Sequence, residues 1–199
     1  MRVACLDLEG VLVPEIWLGL AEKTGLKELR ITTRDIPDFD RLMRTRLEIL
    51  DNHGITMTDL REVVSSMDPL PGAVEFIDNL RATMQVVILS DTFEEFVPPL
   101  MEKLGHPTLF CNTLVIDSEG RITDYTLRQR DGKRHAVLAL RSMNLRVYAA
   151  GDSYNDLSMI READRGAFFR APGTIAEEYP SYPALESYEE LNAFLTSRQ

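Results

Sequence analysis

Residues 2–11 read RVACLDLEGV, and this stretch decides the fold. A short apolar run over 2–7 ends on an acid, Asp7, and a second acid, Glu9, and a glycine follow at once. An unbroken apolar run, without polar alternation, predicts a strand buried on both faces. Similar runs recur at 85–89 (QVVIL), 108–111 (TLFC), 146–150 (RVYAA) and 166–169 (GAFF). Helical patterns separate them, at 72–83, 133–143, 154–163 and 187–196. Strands alternating with helices predict an α/β protein with a parallel sheet covered by helices.

Between the first two strands the spacing changes. Residues 15–24, 38–52 and 56–67 read as helices, the last with Thr58 as its N-cap before LREVVSSM. That is too much chain for one crossover. Residues 14–70 therefore read as a helical insert, and 1–13 with 71–199 as the core. Residues 113–128 read as a separate β-hairpin around Ser118-Glu119-Gly120. Pro98 and Pro99 interrupt a helical pattern over 93–104, so the helix either starts at Pro98 or kinks there.

The chain has 199 residues, 44% of them hydrophobic, which suits one domain with a real core and not a disordered chain. A formal net charge of −10 argues against broad electrostatic binding to nucleic acid or an anionic membrane. It does not forbid an anionic substrate, because local cations and a metal override the global field. Cys5 and Cys111 both lie in apolar runs and read as buried free thiols. No apolar stretch approaches the ~20 residues of a membrane helix, and the acidic pair near the start does not fit a signal peptide. A cytoplasmic protein is expected.

Polar clusters follow the strands. Asp7 and Glu9 stand after the first, Ser90-Asp91-Thr92 after the second, and Asp152 and Asp156, in GDSYND, after the fourth. Ligand sites of open α/β sheets lie outside the carboxyl ends of the strands. Taken singly, such acids are turn formers or caps, and Lys133 is a solvated lysine. Taken together they converge on one place. Two carboxylates after an apolar run need a compensating cation. Magnesium suits that need, with carboxylates from Asp7 and Asp152 and a backbone carbonyl from the turn after Asp7.

These residues resemble the motifs of the haloacid dehalogenase-like phosphatase superfamily. DLEGV resembles its first motif, Ser90 after VVIL its second, Lys133 its third and GDSYND its fourth, all in order over 7–156. The resemblance implies a Rossmann-like doubly wound parallel sheet with a helical cap inserted after the first strand. The insert resembles the cap of phosphoserine phosphatases. ACLDLEGVLVPEIW, TTRDIPDFD, VVILSDTF and AAGDSYND resemble their bifunctional group, which also transfers the phosphoryl group to homoserine. Glu9 stands where the superfamily usually has Asp, as it does in that group.

The resemblance implies roles. Asp7 is the nucleophile and forms an aspartyl phosphate; Glu9 is the general acid and base. Asp7, the Glu9 main-chain carbonyl and Asp152 hold Mg2+. Ser90, the Asp91 backbone and Lys133 bind phosphate, Asp156 orients Lys133 or a metal-bound water, and Asn155 contacts substrate. Glu15 takes the substrate amino group and Arg46 its carboxylate, Arg46 being preferred over Arg44 by its match to the motif. The expected partners are phosphoserine and homoserine, with a homodimer left open. Two other readings stand beside this one. One is a phosphatase of another small phosphomonoester such as phosphoethanolamine, against which Arg46 speaks. The other is a phosphoacceptor signalling domain, against which Glu9 and the insert speak.

Overall fold

The computed structural model describes residues 1–32, 35, 36 and 38–197; Thr33, Arg34 and Pro37 of the TTRDIPDFD stretch lie outside the described residues. A seven-stranded sheet runs in the order β4-β3-β2-β1-β5-β6-β7. Its strands are β1 (Arg2–Leu6), β2 (Gln85–Phe93), β3 (Thr108–Ile116), β4 (Ile122–Thr126), β5 (Arg146–Gly151), β6 (Arg165–Phe169) and β7 (Ala184–Leu185). All neighbours pair in parallel except β3 and β4.

The unbroken apolar runs have a direct structural cause. Alternate residues of β1 enter two separate cores: Ala4 and Leu6 on one face, Val3 and Cys5 on the other. Successive side chains point to opposite faces, so a strand covered on both sides must be apolar throughout. The first core includes helices α1 (Ile16–Thr24), α2 (Phe39–Asn52), α3 (Met57–Ser65), α4 (Ala73–Arg81) and α9 (Tyr188–Thr196). The second is built on α6 (Gly132–Ser142) and α7 (Leu157–Glu162). Helices α5 (Pro98–Lys103) and α8 (Gly173–Glu178) complete the chain.

Three expectations need correcting, and one open alternative is resolved. Helix α3 is capped by Thr56, not Thr58: the Asp59 carboxylate accepts from the Thr56 N–H at 2.7 Å and from its hydroxyl at 2.6 Å. That Thr/Asp pairing three residues apart begins the helix two residues earlier. The segment 113–128 is an antiparallel hairpin, as expected, but not a separate unit. Its first arm continues β3, which pairs with β2 through Thr108–Asn112 and with β4 through Thr113–Ile116. The ambiguity at the two prolines resolves in favour of a helix starting at Pro98, because strand β2 runs on to Phe93 and the regular helix begins only at Pro98, with Val97 as its N-cap. Cys5 is buried as expected, but Cys111 is only half-buried. No helix among the described residues is long and apolar enough to cross a membrane.

Candidate active site

The order of strands reverses at β1, whose neighbours are β2 and β5. The carboxyl ends of these three strands are therefore where a cleft opens. Asp7 leaves β1 there, its N–H continuing the ladder to the Ala150 carbonyl at 3.0 Å. Its Oδ1 accepts from the Leu8 N–H at 2.7 Å and lies 2.9 Å from the Lys133 ammonium. Lys133, in the first turn of α6, also donates to Asp156 Oδ1 at 2.7 Å. The other oxygen of Asp156 accepts from the Ser153 N–H and hydroxyl at 3.1 and 3.2 Å.

All three charges are buried. Burial holds the Asp7 carboxyl well above its usual range; Asp156 adds to the rise, Lys133 opposes it and Asp152 adds further. Burial works against the charge of Lys133, but Asp156 and Asp7 outweigh it and hold the ammonium charged. Burial thus leads the rise at Asp7, whereas at Lys133 the neighbouring carboxylates prevail over burial.

Oxygens of Asp7, Asp152 and Asp156 lie within 4.8 Å of one another. Burial, then Asp156 and Glu15, push Asp152 up to about 7. Asp156 is already committed to Lys133 and Ser153, whereas Asp7 and Asp152 are hard oxygen donors in want of positive charge. A divalent cation such as magnesium fits them. Gly10 is part of this arrangement: it adopts a left-handed φ of 74°, and a Cβ there would run into the Asp152 carboxylate.

Glu9 turns away from that cluster. Its Oε2 accepts from the Ile16 N–H at 2.8 Å, at the start of α1. Burial pushes its carboxyl up to about 7; Glu15 adds to this, while the Ile16 N–H, Arg46 and Lys133 oppose it. Arg46, on α2, is buried, stacks its guanidinium 4.5 Å from the Trp17 ring centre, and donates to the Ile31 carbonyl at 2.8 Å. Burial lowers its pKa to about 10 against the pull of Glu9 and Glu15. Its buried Nε has no hydrogen-bond partner.

These groups enclose a cavity of about 230 Å³. Asp7, Glu9, Glu15, Arg46, Ser90, Asp91, Lys133, Asp152 and Asn155 all line it, and Asp156 sits behind Lys133. A second hollow of about 330 Å³ adjoins it and shares Phe39, Asp91, Lys133 and Asn155. Arg44 is elsewhere, exposed and paired with Asp124 at 2.8 Å. Two contributors went unread in the sequence. Trp17 supplies the face under Arg46, and Ser153 holds Asp156. Trp17 stands beside Glu15 in PEIW, and Ser153 lies inside GDSYND, so both were within reach of a closer reading.

A family model of haloacid dehalogenase-like hydrolases matches residues 17–161. The chain belongs to this family. Among haloacid dehalogenase-like hydrolases it is 57% identical to a Pseudomonas aeruginosa protein named phosphoserine phosphatase ThrH, over 96% of this chain and 93% of that one. It is 56% identical to a phosphoserine phosphatase of Pseudomonas syringae pv. tomato, over 96% of this chain and 81% of that one. The fold matches a crystal structure of phosphoserine phosphatase in apo form, with a TM-score of 0.78, 22% identity and 96% of each chain covered. It also matches a structure described as a phospho-aspartyl intermediate analogue of phosphoserine phosphatase, with a TM-score of 0.75, 21% identity, and 94% of this chain and 93% of that one covered.

Proposed function

We propose that the chain hydrolyses phosphoserine and also transfers its phosphoryl group to homoserine, through an aspartyl phosphate on Asp7. The observation that carries this reading is the pairing, in one cavity, of a buried Asp7–Lys133 contact of 2.9 Å with a buried arginine, Arg46. The first suits a phosphoryl group and the second a carboxylate. The names of the relatives at 56% and 57% identity support the same substrate.

Residues 14–70 act in this reading as the cap that covers the site. One Asp7 oxygen attacks phosphorus, the bond from phosphorus to the serine oxygen breaks, and Glu9 gives that oxygen its proton. The incoming hydroxyl, of water or of homoserine, then loses its proton to Glu9 and attacks phosphorus, which frees Asp7. Ser90, the Asp91 backbone and Lys133 hold the phosphoryl oxygens, and Asp156 keeps Lys133 aimed at them. Glu15 takes the amino group and Asn155 touches the substrate. The oxygens of Asp7, Asp152 and the Glu9 main chain would hold magnesium, which when bound screens the repulsion between carboxylate and phosphate.

The test is incubation with phosphoserine and magnesium, with and without homoserine, following inorganic phosphate and phosphohomoserine. Release of phosphate from phosphoserine is expected, with part of it diverted to phosphohomoserine when homoserine is added. No turnover of phosphoserine would sink the substrate; phosphate without phosphohomoserine would sink the transfer. Glu9→Asp shortens the acid by one methylene and should shift the partition toward hydrolysis.

A further inference from the structure

Strand β2 loses its register with β3 between Leu89 and Phe93. Leu89 is opposite Phe110 and Phe93 opposite Asn112, so Ser90, Asp91 and Thr92 stand opposite Cys111 alone. Such a bulge re-aims side chains and needs something to hold its shape. Asn112 is buried at this point. Its Nδ2 donates to the Asp91 carbonyl at 3.2 Å, and its Oδ1 accepts from the Arg128 N–H at 3.1 Å.

These two partners leave the amide one orientation. A carbonyl only accepts and a backbone N–H only donates, so the side chain cannot be turned over without losing both bonds. The Asp91 carbonyl and the Thr92 N–H belong to one planar peptide group. Fixing the oxygen fixes the N–H, and that N–H donates to Ser90 Oγ at 3.2 Å. With this donor on its oxygen, the Ser90 hydroxyl turns its own hydrogen elsewhere, and Ser90 lines the cavity beside Asp7 and Lys133. The second bond of Asn112 ties the same peptide to Arg128, on the segment that leads into α6 and Lys133.

We infer that Asn112 is a positioning residue for phosphoryl binding: through the Asp91–Thr92 peptide it sets Ser90 as a hydrogen-bond donor to a phosphoryl oxygen. It touches no substrate and acts through Ser90. This rests on the phosphatase reading above, but only on its phosphoryl half.

The test is a double-mutant cycle of Asn112→Asp and Ser90→Ala, assayed with phosphoserine and with a chromogenic aryl phosphate. Asn112→Asp keeps the acceptor for Arg128 and removes the donor to Asp91. Alone it should lower kcat/KM by about tenfold for both substrates, chiefly by raising KM, as expected for one misplaced hydrogen bond to a charged group. In the Ser90→Ala background it should change kcat/KM by less than about twofold. The same factor with and without the serine would overturn the inference, because a general loss of structure multiplies through. Should Asn112→Asp not fold by circular dichroism, Asn112→Ser decides by the same criterion. Turnover of the aryl phosphate without phosphoserine would count against the substrate alone and leave the cycle readable.

Discussion

On the strand side of the cavity the charged groups answer one another: Lys133 contacts Asp7 and Asp156, and Ser153 takes the remaining oxygen of Asp156. On the helical side Arg46 rests on Trp17, one carbonyl and the Met43 sulfur, with its buried Nε unmet. A buried polar atom without a partner costs stability, and in the proposed function the substrate carboxylate would offset that cost. The two sides teach a division of labour. In the proposed function the sheet side carries the reaction and the helical side the recognition of the substrate.

The comparison breaks most sharply at Asp7. If the strand side is the reaction centre and Asp7 its nucleophile, Asp7→Asn should lower kcat with phosphoserine by roughly 10⁴-fold. Steady-state phosphate release checks it, and residual turnover within about tenfold of the unaltered enzyme would mean another nucleophile.

Next in size is a contrast in stability. Lys133→Met leaves Asp7 and Asp156 buried without their cation, which should cost about 3–5 kcal/mol in urea unfolding. Arg46→Met removes a buried cation that lacks a full set of partners, so it should cost under about 1 kcal/mol or raise stability. Equal losses would erase the distinction between a paired and an unpaired buried cation.

Arg46→Met should instead show itself in selectivity. We expect kcat/KM for phosphoserine to fall about 100-fold, the loss of a charge-assisted carboxylate contact, while an aryl phosphate without a carboxylate changes by under about threefold. A parallel fall for both substrates would move Arg46 to the phosphoryl end.

The smallest effect lies where the helical side meets solvent. Hydrogen bonds from the Thr56 hydroxyl and N–H hold the Asp59 carboxyl below its usual range. A group depressed on folding contributes stability above its ordinary pKa of about 4, and that contribution disappears as pH falls through the lowered folded value. Asp59→Asn should therefore lower the thermal midpoint by about 2–4 °C at pH 7 and by progressively less toward pH 3. A constant difference across that range would show that the carboxylate charge plays no part in the cap.

Much of this was legible because the relevant residues are neighbours in the chain. Asp7, Glu9 and Gly10 follow a strand within four residues, and Asp152 and Asp156 share GDSYND, so chemistry and position are read together. Arg44 and Arg46 could not be told apart by spacing. They lie two apart on one helix, and only the packing of α2 sends one into the cavity and the other to Asp124. Helix α8 and strand β7 escaped notice because one buries a single residue, Ile175, and the other is two residues long, too short for a period to show. Asn112 gave no local signal, since its two partners lie 21 and 16 residues away.

By itself the sequence determined the alternation of strands and helices, the doubly covered first strand and the acids that follow it. Those properties are local: a buried strand must be apolar on both faces, and a carboxylate at its end is placed by the strand that carries it. Tertiary structure alone decided that one lysine answers two carboxylates, that Arg46 and not Arg44 faces inward, and that an asparagine on β3 holds the bulge of β2. Distances between side chains from different elements depend on how those elements pack, and a linear pattern does not carry that information.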